Sequence, residues 1–545
     1  MSTHAPTLGR MMHRPLLITH LLERAATIHG RATVVSQRPD KTRVRRTYAD
    51  IGARASRLAH ALAALGVTAG TRVATLCWNH EAHLEAYVAV PCMGAVVHTL
   101  NLRLHPNDLA YIARHANDEV ILVDRSLLPL FAQFAAQVPS LRHVIVVGDS
   151  GPVDTSGGHR DYETLLAQAP PVPYPWPDLD ENAAAMICYT SGTTGNPKGV
   201  VYSHRSTVLH SLVSAMADTL GLKDDDVVLP VVPMFHAAAW GLPYTALLTG
   251  ASLVFPGPHL DAASVRDLMV KEKVTVAAGV PTIWLGLLAL LDEEPGKHDL
   301  SRVRTTIIGG SAAPAAMIAG FRERHGIIIT HAWGMTELNP LGTVAHLKPH
   351  LRAADAAAQL EVLASQGAPV PFVEIRHKGE DDGPPLPWDG ATMGELETRG
   401  PWVADSYVGD EGEDRWTADG WFKTGDVVTI DREGYVRITD RAKDVVKSGG
   451  EWISSVALEN ALMSHPAVLE AAVFAARDEK WGERPVAAVV FKDGRRASDD
   501  ELRAHLATRF PKFWLPDRFV AMHQIPRTST GKFLKSKLRE EHGGW

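Results

Sequence analysis

The segment Thr190-Ser191-Gly192-Thr193-Thr194-Gly195-Asn196-Pro197-Lys198-Gly199 directly follows the apolar run 183–189. Glycines allow backbone N–H groups to turn toward an anion, the hydroxyls add donors, and the lysine adds positive charge. We therefore expect this loop to bind a polyphosphate. It is not the phosphate loop G-x-x-x-x-G-K-[ST], because counting from Gly192 places Pro197 at the second glycine and Gly199 at the Ser/Thr position.

The whole chain has the composition of an ordinary globular protein. Its 545 residues are 45% hydrophobic and 21% charged, and a chain of this length predicts about two to four modules. The net charge of −7, from 55 basic and 62 acidic residues, argues against a general nucleic-acid binder. Cys77, Cys92 and Cys188 each lie in an apolar stretch, which is typical of buried thiols in a reducing compartment.

No segment predicts secretion or a membrane span. Residues 1–22 lack a continuous apolar core, so they do not resemble a secretory signal. The uncharged stretch 274–291 is long enough to suggest a span, but Gly279 and Pro281 interrupt it. A buried strand over 274–278 followed by a helix that starts near Pro281 explains the stretch better.

Helical and strand patterns alternate through most of the chain. The patterns predict helices over 48–65 and 81–90 and strands over 72–76, 95–100, 120–123 and 143–147. Such alternation favours mainly parallel sheet covered by helices. The strands predicted over 394–400 and 435–438 indicate a smaller, more antiparallel unit. About a hundred residues after 440 have the size of an independent C-terminal domain.

Seven segments occur in the order typical of the adenylate-forming enzymes, a superfamily of acyl-CoA synthetases, peptide-synthetase adenylation domains and luciferases. The phosphate loop resembles the signature of that superfamily, and the resemblance extends from about residue 45 to residue 535. The other six segments are 232–241, 309–312, 331–337, 424–441, 440–454 and 526–532.

This resemblance implies a site for ATP and Mg²⁺. Trp333 would stack on adenine, Thr336 would contact the α-phosphate, and Glu337 would bind magnesium together with Thr190. Asp426 would accept the ribose hydroxyls with Arg441 as its basic partner. The remaining nucleotide-binding residues implied by the resemblance are Ser191, Gly192, Thr193, Thr194, Gly195, Lys198, Gly310, Ser311, His331, Ala332 and Gly334.

The C-terminal motifs imply two half-reactions served by one moving domain. Lys532 resembles the catalytic lysine that offsets negative charge when a carboxylate attacks the α-phosphate. The linker 440–454 resembles that of fatty acyl-CoA synthetases, with Lys443 at the hinge position. Rotation there would bring groups on the linker against CoA. These groups are Lys447, Gly449, Gly450 and Trp452.

The segment 232–241 resembles the border of an acyl pocket. His236 would close one side of the reacting carboxylate, and Trp240 matches an aromatic gate of long-chain synthetases. The alanines 237–239 leave space, although the sequence does not decide which of them faces the acyl tail. No fixed cation is evident for a second substrate charge, so we expect an apolar pocket. Its expected lining residues are Ala237, Trp240, Val280 and Met335.

Together these features predict an α/β protein with a large N-terminal domain, residues 1–440, and a mobile α+β C-terminal domain, residues 441–545. The predicted activity is ATP-dependent ligation of medium- to long-chain fatty acids to CoA through an acyl-adenylate. The alternatives are a CoA ligase for a short, methylthio or aryl acid and a non-catalytic adenylate-binding protein. We expect only small-molecule substrates, a cytoplasmic location and no nucleic-acid partner, and the sequence leaves a homodimer open.

Overall fold

A computed structural model describes residues 9–148, 157–190, 196–379, 383–448, 451–527 and 533–544. The helices are α1 (Ile18–Thr27), α2 (Tyr48–Ala64), α3 (Glu81–Cys92), α4 (Pro106–His115), α5 (Leu128–Ala132), α6 (Tyr162–Gln168), α7 (His204–Ser214), α8 (Leu242–Thr249), α9 (Ala262–Lys271), α10 (Pro281–Glu293), α11 (Ala315–His325), α12 (Ala356–Leu363), α13 (Ser455–Met463), α14 (Asp499–Ala507) and α15 (Lys535–His542).

The strands begin with β1 (Thr33–Gln37), β2 (Arg43–Thr47), β3 (Arg72–Leu76), β4 (Val96–Thr99), β5 (Val120–Asp124), β6 (His143–Val147), β7 (Arg160–Asp161), β8 (Ala184–Tyr189), β9 (Gly199–Ser203), β10 (Val227–Pro230), β11 (Ser252–Phe255) and β12 (Val276–Gly279). They continue with β13 (Thr305–Ile308), β14 (Ile328–Gly334), β15 (Leu341–Val344), β16 (Ala368–Pro369), β17 (Glu374–Lys378), β18 (Gly394–Arg399), β19 (Phe422–Ile430), β20 (Val436–Arg441), β21 (Val446–Ser448), β22 (Glu451–Ile453), β23 (Val468–Asp478), β24 (Gly482–Phe491) and β25 (Arg518–Ala521).

Local sequence explains why α2 begins and ends where it does. Thr47 and Asp50 form a capping box, in which each side chain accepts a hydrogen bond from the other residue's backbone N–H; this satisfies donors that the first helical turn leaves free. Ile51, Leu58 and Leu62 are completely buried at helical spacing. The chain then turns at Gly66, whose φ of 86° favours glycine.

Two large sheets make up the N-terminal part of the described residues. One has seven strands in the order β7-β6-β5-β3-β4-β8-β9, and the other has nine in the order β16-β15-β14-β13-β12-β10-β11-β1-β2. All neighbours in the first sheet are parallel except β8 and β9, and the central pairs of the second sheet, from β14 to β1, are parallel. The expected mainly parallel architecture is confirmed.

Two smaller sheets follow along the chain. The antiparallel strands β17–β20 form the expected smaller unit, and β21–β25 form a five-stranded sheet that packs against α13 and α14. Asp440, at the end of β20, accepts a hydrogen bond from Ser455 N–H at 3.0 Å, where α13 begins. The predicted fold class, with a large N-terminal and a smaller C-terminal domain, is confirmed.

Most of the predicted elements are found with small shifts. The strands predicted over 72–76 and 143–147 match β3 and β6, whereas α3 continues through Pro91 to Cys92. A proline in the final turn removes only one helical N–H donor. The stretch 274–291 divides into β12 and α10, which begins at Pro281. Among the described helices, none has the length and apolar character that crossing a membrane requires.

Candidate active site

The predicted phosphate loop connects two paired antiparallel strands, because Tyr189 of β8 lies opposite Gly199 of β9. Thr190 N–H donates to the carbonyl of Lys198 at 2.9 Å, and Lys198 N–H donates to Thr190 Oγ1 at 3.1 Å. These two hydrogen bonds close the base of the loop. Five of the predicted loop residues lie outside the described residues: Ser191, Gly192, Thr193, Thr194 and Gly195.

Tyr407, which the sequence interpretation missed, contacts both Lys198 and Glu337. The ammonium of Lys198 lies 5.1 Å from the centroid of the Tyr407 ring, a cation–π contact. The Tyr407 hydroxyl donates to Glu337 Oε1 at 2.5 Å. One signal was available: Tyr407 is the only aromatic residue in the acidic run 405–414.

The turn that carries Thr336 and Glu337 is buried and held by its backbone. The carbonyl of Thr336 accepts from the Tyr202 hydroxyl at 2.7 Å, and the carbonyl of Glu337 accepts from Ala404 N–H at 2.7 Å. Glu337 is only 5% exposed. Since Tyr407 bonds Oε1, Oε2 of Glu337 can serve as a hard oxygen ligand. A carboxylate oxygen and a hydroxyl oxygen, the donor types of Glu337 and Thr190, are ligands that suit Mg²⁺.

Asp426 joins the predicted adenine and ribose residues. It lies on β19 opposite Arg441 of β20, and its Oδ1 is 2.9 Å from Arg441 Nε. Its Oδ2 accepts a hydrogen bond from Trp333 Nε1 at 3.0 Å. Both oxygens of this buried carboxylate therefore already have partners, and each keeps a lone pair for another donor.

The other predicted adenine residues lie on two neighbouring strands. Ala332 and Gly334 are on β14 with His331, which pairs with Ile308 of β13. Gly310 and Ser311 follow the carboxyl end of β13 after one intervening residue, Gly309. Burial lowers the pKa of His331 to about 4, so its imidazole is neutral at pH 7.

The glycine loop after β13 contacts three of the predicted acyl-pocket and nucleotide residues. A Cβ added to Gly309 would lie 3.0 Å from the carbonyl oxygen of Ala332 and 3.2 Å from Cη2 of Trp240. A Cβ added to Gly310 would lie 3.3 Å from Val280 Cγ1 and 3.9 Å from Trp240 Cζ2. The absence of side chains here lets β14, which carries predicted nucleotide residues, and the predicted acyl lining approach each other.

The segment that carries His236 and Trp240 has an uncommon backbone. Ala237, Ala239 and Trp240 have φ values of 39°, 51° and 57° within a 3₁₀ turn, a region that costs non-glycine residues free energy. Ala237 and Ala239 are buried, and the side chain of Ala238 lies outside the described atoms. His236 and the predicted lining residue Met335 are half-buried.

The side chain of Asn79 anchors the segment 230–234, which precedes His236. The sequence interpretation did not identify Asn79. Its Oδ1 accepts from Met234 N–H at 2.7 Å, and its Nδ2 donates to the carbonyls of Pro230 and Val232 at 2.9 and 2.8 Å. Asn79 is buried, so these bonds anchor the start of the His236 loop. Residue 79 lies more than 150 positions from its partners, and no local pattern signals the contact.

Two of the predicted linker residues, Lys447 and Trp452, lie on the C-terminal sheet. Lys443 is in an exposed turn between β20 and β21. Lys447 of β21 lies opposite Trp452 of β22, and its ammonium is 5.5 Å from a ring centroid of Trp452. Three further predicted residues lie outside the described residues: Gly449, Gly450 and Lys532.

A separate cluster of Cys77, His80 and Asp124 has ligand atoms within 4.8 Å of one another. His80 Nδ1 accepts a hydrogen bond from His83 N–H at 3.2 Å, so the ring proton is on Nε2. That nitrogen lies 2.8 Å from Asp124 Oδ1 and donates to it. A metal would need the Nε2 lone pair, so this tautomer favours a hydrogen-bonded pair over a metal site.

Two parts of the sequence match known protein families. Residues 22–408 match the AMP-binding enzyme family, and residues 457–532 match the AMP-binding enzyme C-terminal domain. The chain is 48% identical over 536 residues to a long-chain-fatty-acid–CoA ligase of Thermus thermophilus, covering 98% of this chain and 96% of the relative. It is 45% identical over 540 residues to a medium-chain-fatty-acid–CoA ligase of Ectopseudomonas oleovorans, covering 98% of both.

The names of other similar proteins specify different acids. A 3-methylmercaptopropionyl-CoA ligase of Ruegeria lacuscaerulensis is 44% identical over 536 residues, with 98% of both chains covered. The solved structure of the anthranilate CoA ligase AuaEII with anthranoyl-AMP superimposes with a TM-score of 0.86 at 26% identity, covering 97% of this chain and 98% of that one. The family match extends over most of the chain, and the protein belongs to the AMP-binding enzymes, as the resemblance to adenylate-forming enzymes predicted.

Proposed function

We propose that the protein is an AMP-forming fatty acid–CoA ligase that prefers medium- to long-chain acids. The observation that supports this proposal is the position of the glycine loop 309–310. A side chain on Gly309 would meet both Ala332, on the predicted nucleotide strand β14, and Trp240, in the predicted acyl lining. Fatty acid and nucleotide must meet at one point for acyl transfer to the α-phosphate. The two relatives named fatty-acid–CoA ligases, at 48% and 45% identity, support this substrate class.

In the first half-reaction, an oxygen of the fatty-acid carboxylate attacks the α-phosphorus of ATP. The bond from that phosphorus to the bridging oxygen breaks, which gives acyl-AMP and pyrophosphate. Lys198 and Lys532 would offset the charge on the phosphates, and Thr336 would donate to the α-phosphate. Glu337 and Thr190 would hold Mg²⁺, which supplies further charge neutralisation when bound. His236 would shield one side of the carboxylate.

In the second half-reaction, the CoA thiolate attacks the acyl carbon and AMP leaves with the bonding electron pair. A thiol of pKa about 8.5 is partly ionised at neutral pH, so delivery matters more than a strong base. We propose that residues 441–545 rotate about Lys443 between the steps and bring Lys447, Gly449, Gly450 and Trp452 toward CoA. That rotation would break the 3.0 Å bond between Ser455 and Asp440.

A CoA ligase for short, methylthio or aryl acids is the second candidate, favoured by the 44% identical 3-methylmercaptopropionyl-CoA ligase. Pyrophosphate release with ATP and CoA separates the candidates when octanoate, palmitate, 3-methylthiopropionate and benzoate are compared. We expect the highest kcat/KM with octanoate or palmitate. A preference for either other acid would select the second candidate, and no release with any acid would leave a non-catalytic adenylate-binding protein.

We also propose a cytoplasmic location, because Cys77, Cys92 and Cys188 are buried and form no disulfide, which is typical of a reducing compartment. Cell fractionation tests it. The sequence leaves a homodimer open, and sedimentation at micromolar concentration distinguishes a homodimer from a monomer of 59.1 kDa.

A further inference from the structure

Tyr407 is a buried residue with polar contacts at its hydroxyl and a charged group against its ring. Its exposed fraction is 4%, and its hydroxyl donates to Glu337 Oε1 at 2.5 Å. A hydrogen bond from a hydroxyl to a carboxylate is of the charge-assisted kind.

Packing fixes the Tyr407 ring. Trp416 packs against it edge-on, with the ring centroids 5.2 Å apart, and Trp416 Nε1 donates to the carbonyl of Ala404 at 2.8 Å. Ala404 N–H in turn donates to the carbonyl of Glu337. The loop that carries Tyr407 is thus tied to the Glu337 turn through its backbone as well as through the hydroxyl.

The Tyr407 ring also contacts Lys198 at the end of the phosphate loop. Lys198 Nζ lies 5.1 Å from the ring centroid, and a Cβ added to Gly412 would lie 2.3 Å from the same nitrogen. Because Gly412 has no side chain, the Lys198 ammonium can pass close to this loop. One aromatic side chain therefore contacts both the phosphate-loop cation and the Glu337 carboxylate.

We propose that Tyr407 is a positioning residue for adenylate formation, whose hydroxyl orients Glu337 toward a divalent cation and whose ring supports Lys198. By holding the carboxylate through Oε1, the hydroxyl would orient Oε2 toward the metal. This inference rests on the proposed function, in which ATP binds with that cation.

The variant Tyr407→Phe removes the hydroxyl and keeps the ring beneath Lys198. Mn²⁺ binding to the enzyme with ATP, measured by electron paramagnetic resonance, should weaken about tenfold or more, as expected when a hydrogen bond to a charged group is lost. The Mg²⁺ concentration for half-maximal pyrophosphate release should rise similarly, while KM for the fatty acid stays unchanged. Unaltered Mn²⁺ affinity in a folded variant would overturn the proposal.

Tyr435→Phe is a matched control. Tyr435 is also buried, its hydroxyl donates to the carbonyl of His346 at 2.8 Å, and Lys348 Nζ lies 5.4 Å from its ring centroid. We expect this variant to change thermal stability as much as Tyr407→Phe does and to leave Mn²⁺ binding unchanged. Equal weakening of Mn²⁺ binding in both variants would contradict the proposal, because it would mean that Tyr407 has only a structural role.

A double-mutant cycle tests the connection to Glu337. If Tyr407 acts through the carboxylate, Tyr407→Phe added to Glu337→Gln should weaken Mn²⁺ binding less than about twofold further. Independent, multiplicative losses would refute the proposal. The binding assay requires no fatty acid, so an enzyme that binds Mn²⁺ and ATP in this Tyr407-dependent way but forms no acyl-AMP would contradict the proposed function and leave this inference standing.

Discussion

The indole Nε1 of Trp333 donates a hydrogen bond to Oδ2 of Asp426 over 3.0 Å, although the two residues are 93 positions apart. From the sequence, Trp333 is expected to stack on adenine and Asp426 to bind ribose. Their hydrogen bond predicts a second role for Trp333, which is to orient the carboxylate that would bind ribose.

Trp333→Phe should therefore raise KM for ATP while leaving KM for the fatty acid nearly unchanged. Phenylalanine keeps a flat ring but loses the N–H donor, and a hydrogen bond to a charged group contributes about 1.5–3 kcal/mol, or about tenfold or more in affinity. Steady-state pyrophosphate release at varied ATP measures the effect. Trp284→Phe is the control, because it loses a buried indole bond to the carbonyl of Gly279; if it raised KM for ATP equally, the Asp426 contact would not be responsible.

The position of Gly310 beside Val280 and Trp240, where a Cβ would meet both side chains, predicts that these two side chains control acid length. Val280→Phe should shorten the preferred acid, because each methylene excluded from an apolar pocket costs about 0.8 kcal/mol and two cost about tenfold in kcat/KM. Trp240→Ala should weaken length discrimination without preventing adenylation. Profiles of kcat/KM from short to long acids test both, with the exposed Trp388→Ala as control. If neither profile moved, the acyl tail would lie elsewhere.

Lys532→Ala should nearly abolish acyl-AMP formation and leave thioesterification of supplied acyl-AMP largely intact. Its match to the catalytic-lysine motif assigns it to the first half-reaction alone. Single-turnover assays of each half-reaction measure the two effects separately. Lys537→Ala, an exposed lysine of α15, should change neither rate. An equal fall in both half-reactions after loss of Lys532 would contradict the two roles proposed for the C-terminal domain.

Buried neutral histidines should make the fold sensitive to mild acid. Burial lowers the pKa of His204 to about 4 and that of His210 to about 3, below the ordinary value of 6.5. Each ring also accepts a backbone hydrogen bond, from Ile18 and Leu341 respectively. As the pH falls, the unfolded chain protonates these histidines before the folded protein does. The two neutral histidines therefore contribute their full stabilisation of the fold above pH 6.5. This contribution decreases as the pH falls toward 4, by about 1.4 kcal/mol per pH unit for each histidine.

Thermal unfolding at pH 7 and pH 5 measures this loss. His204→Gln keeps an acceptor that does not titrate in this range, so the fall in Tm between the two pH values should be smaller than in the wild type. The exposed His350 provides the control variant His350→Gln, which should retain the wild-type fall. An identical fall in all three proteins would remove His204 as a source of the acid sensitivity.

The amino-acid sequence by itself determined the element types, the fold class and the identity of the motif residues. Periodicity and glycine positions are local properties, so β3, β6 and the division of 274–291 at Gly279 and Pro281 could be predicted within a few residues. The order of the motifs was enough to indicate the family.

Only the tertiary structure decided how the motif residues contact one another. Tyr407 contacts Glu337 and Lys198, and Asn79 anchors the loop before His236, because sheet packing brings together segments that are distant in sequence. Such hydrogen bonds depend on where a side chain ends in space, and a single tyrosine or asparagine in a polar stretch carries no periodic signal. Residue types and spacing thus predicted the chemistry of the site, whereas long-range packing decided which groups hold the reactive residues in place.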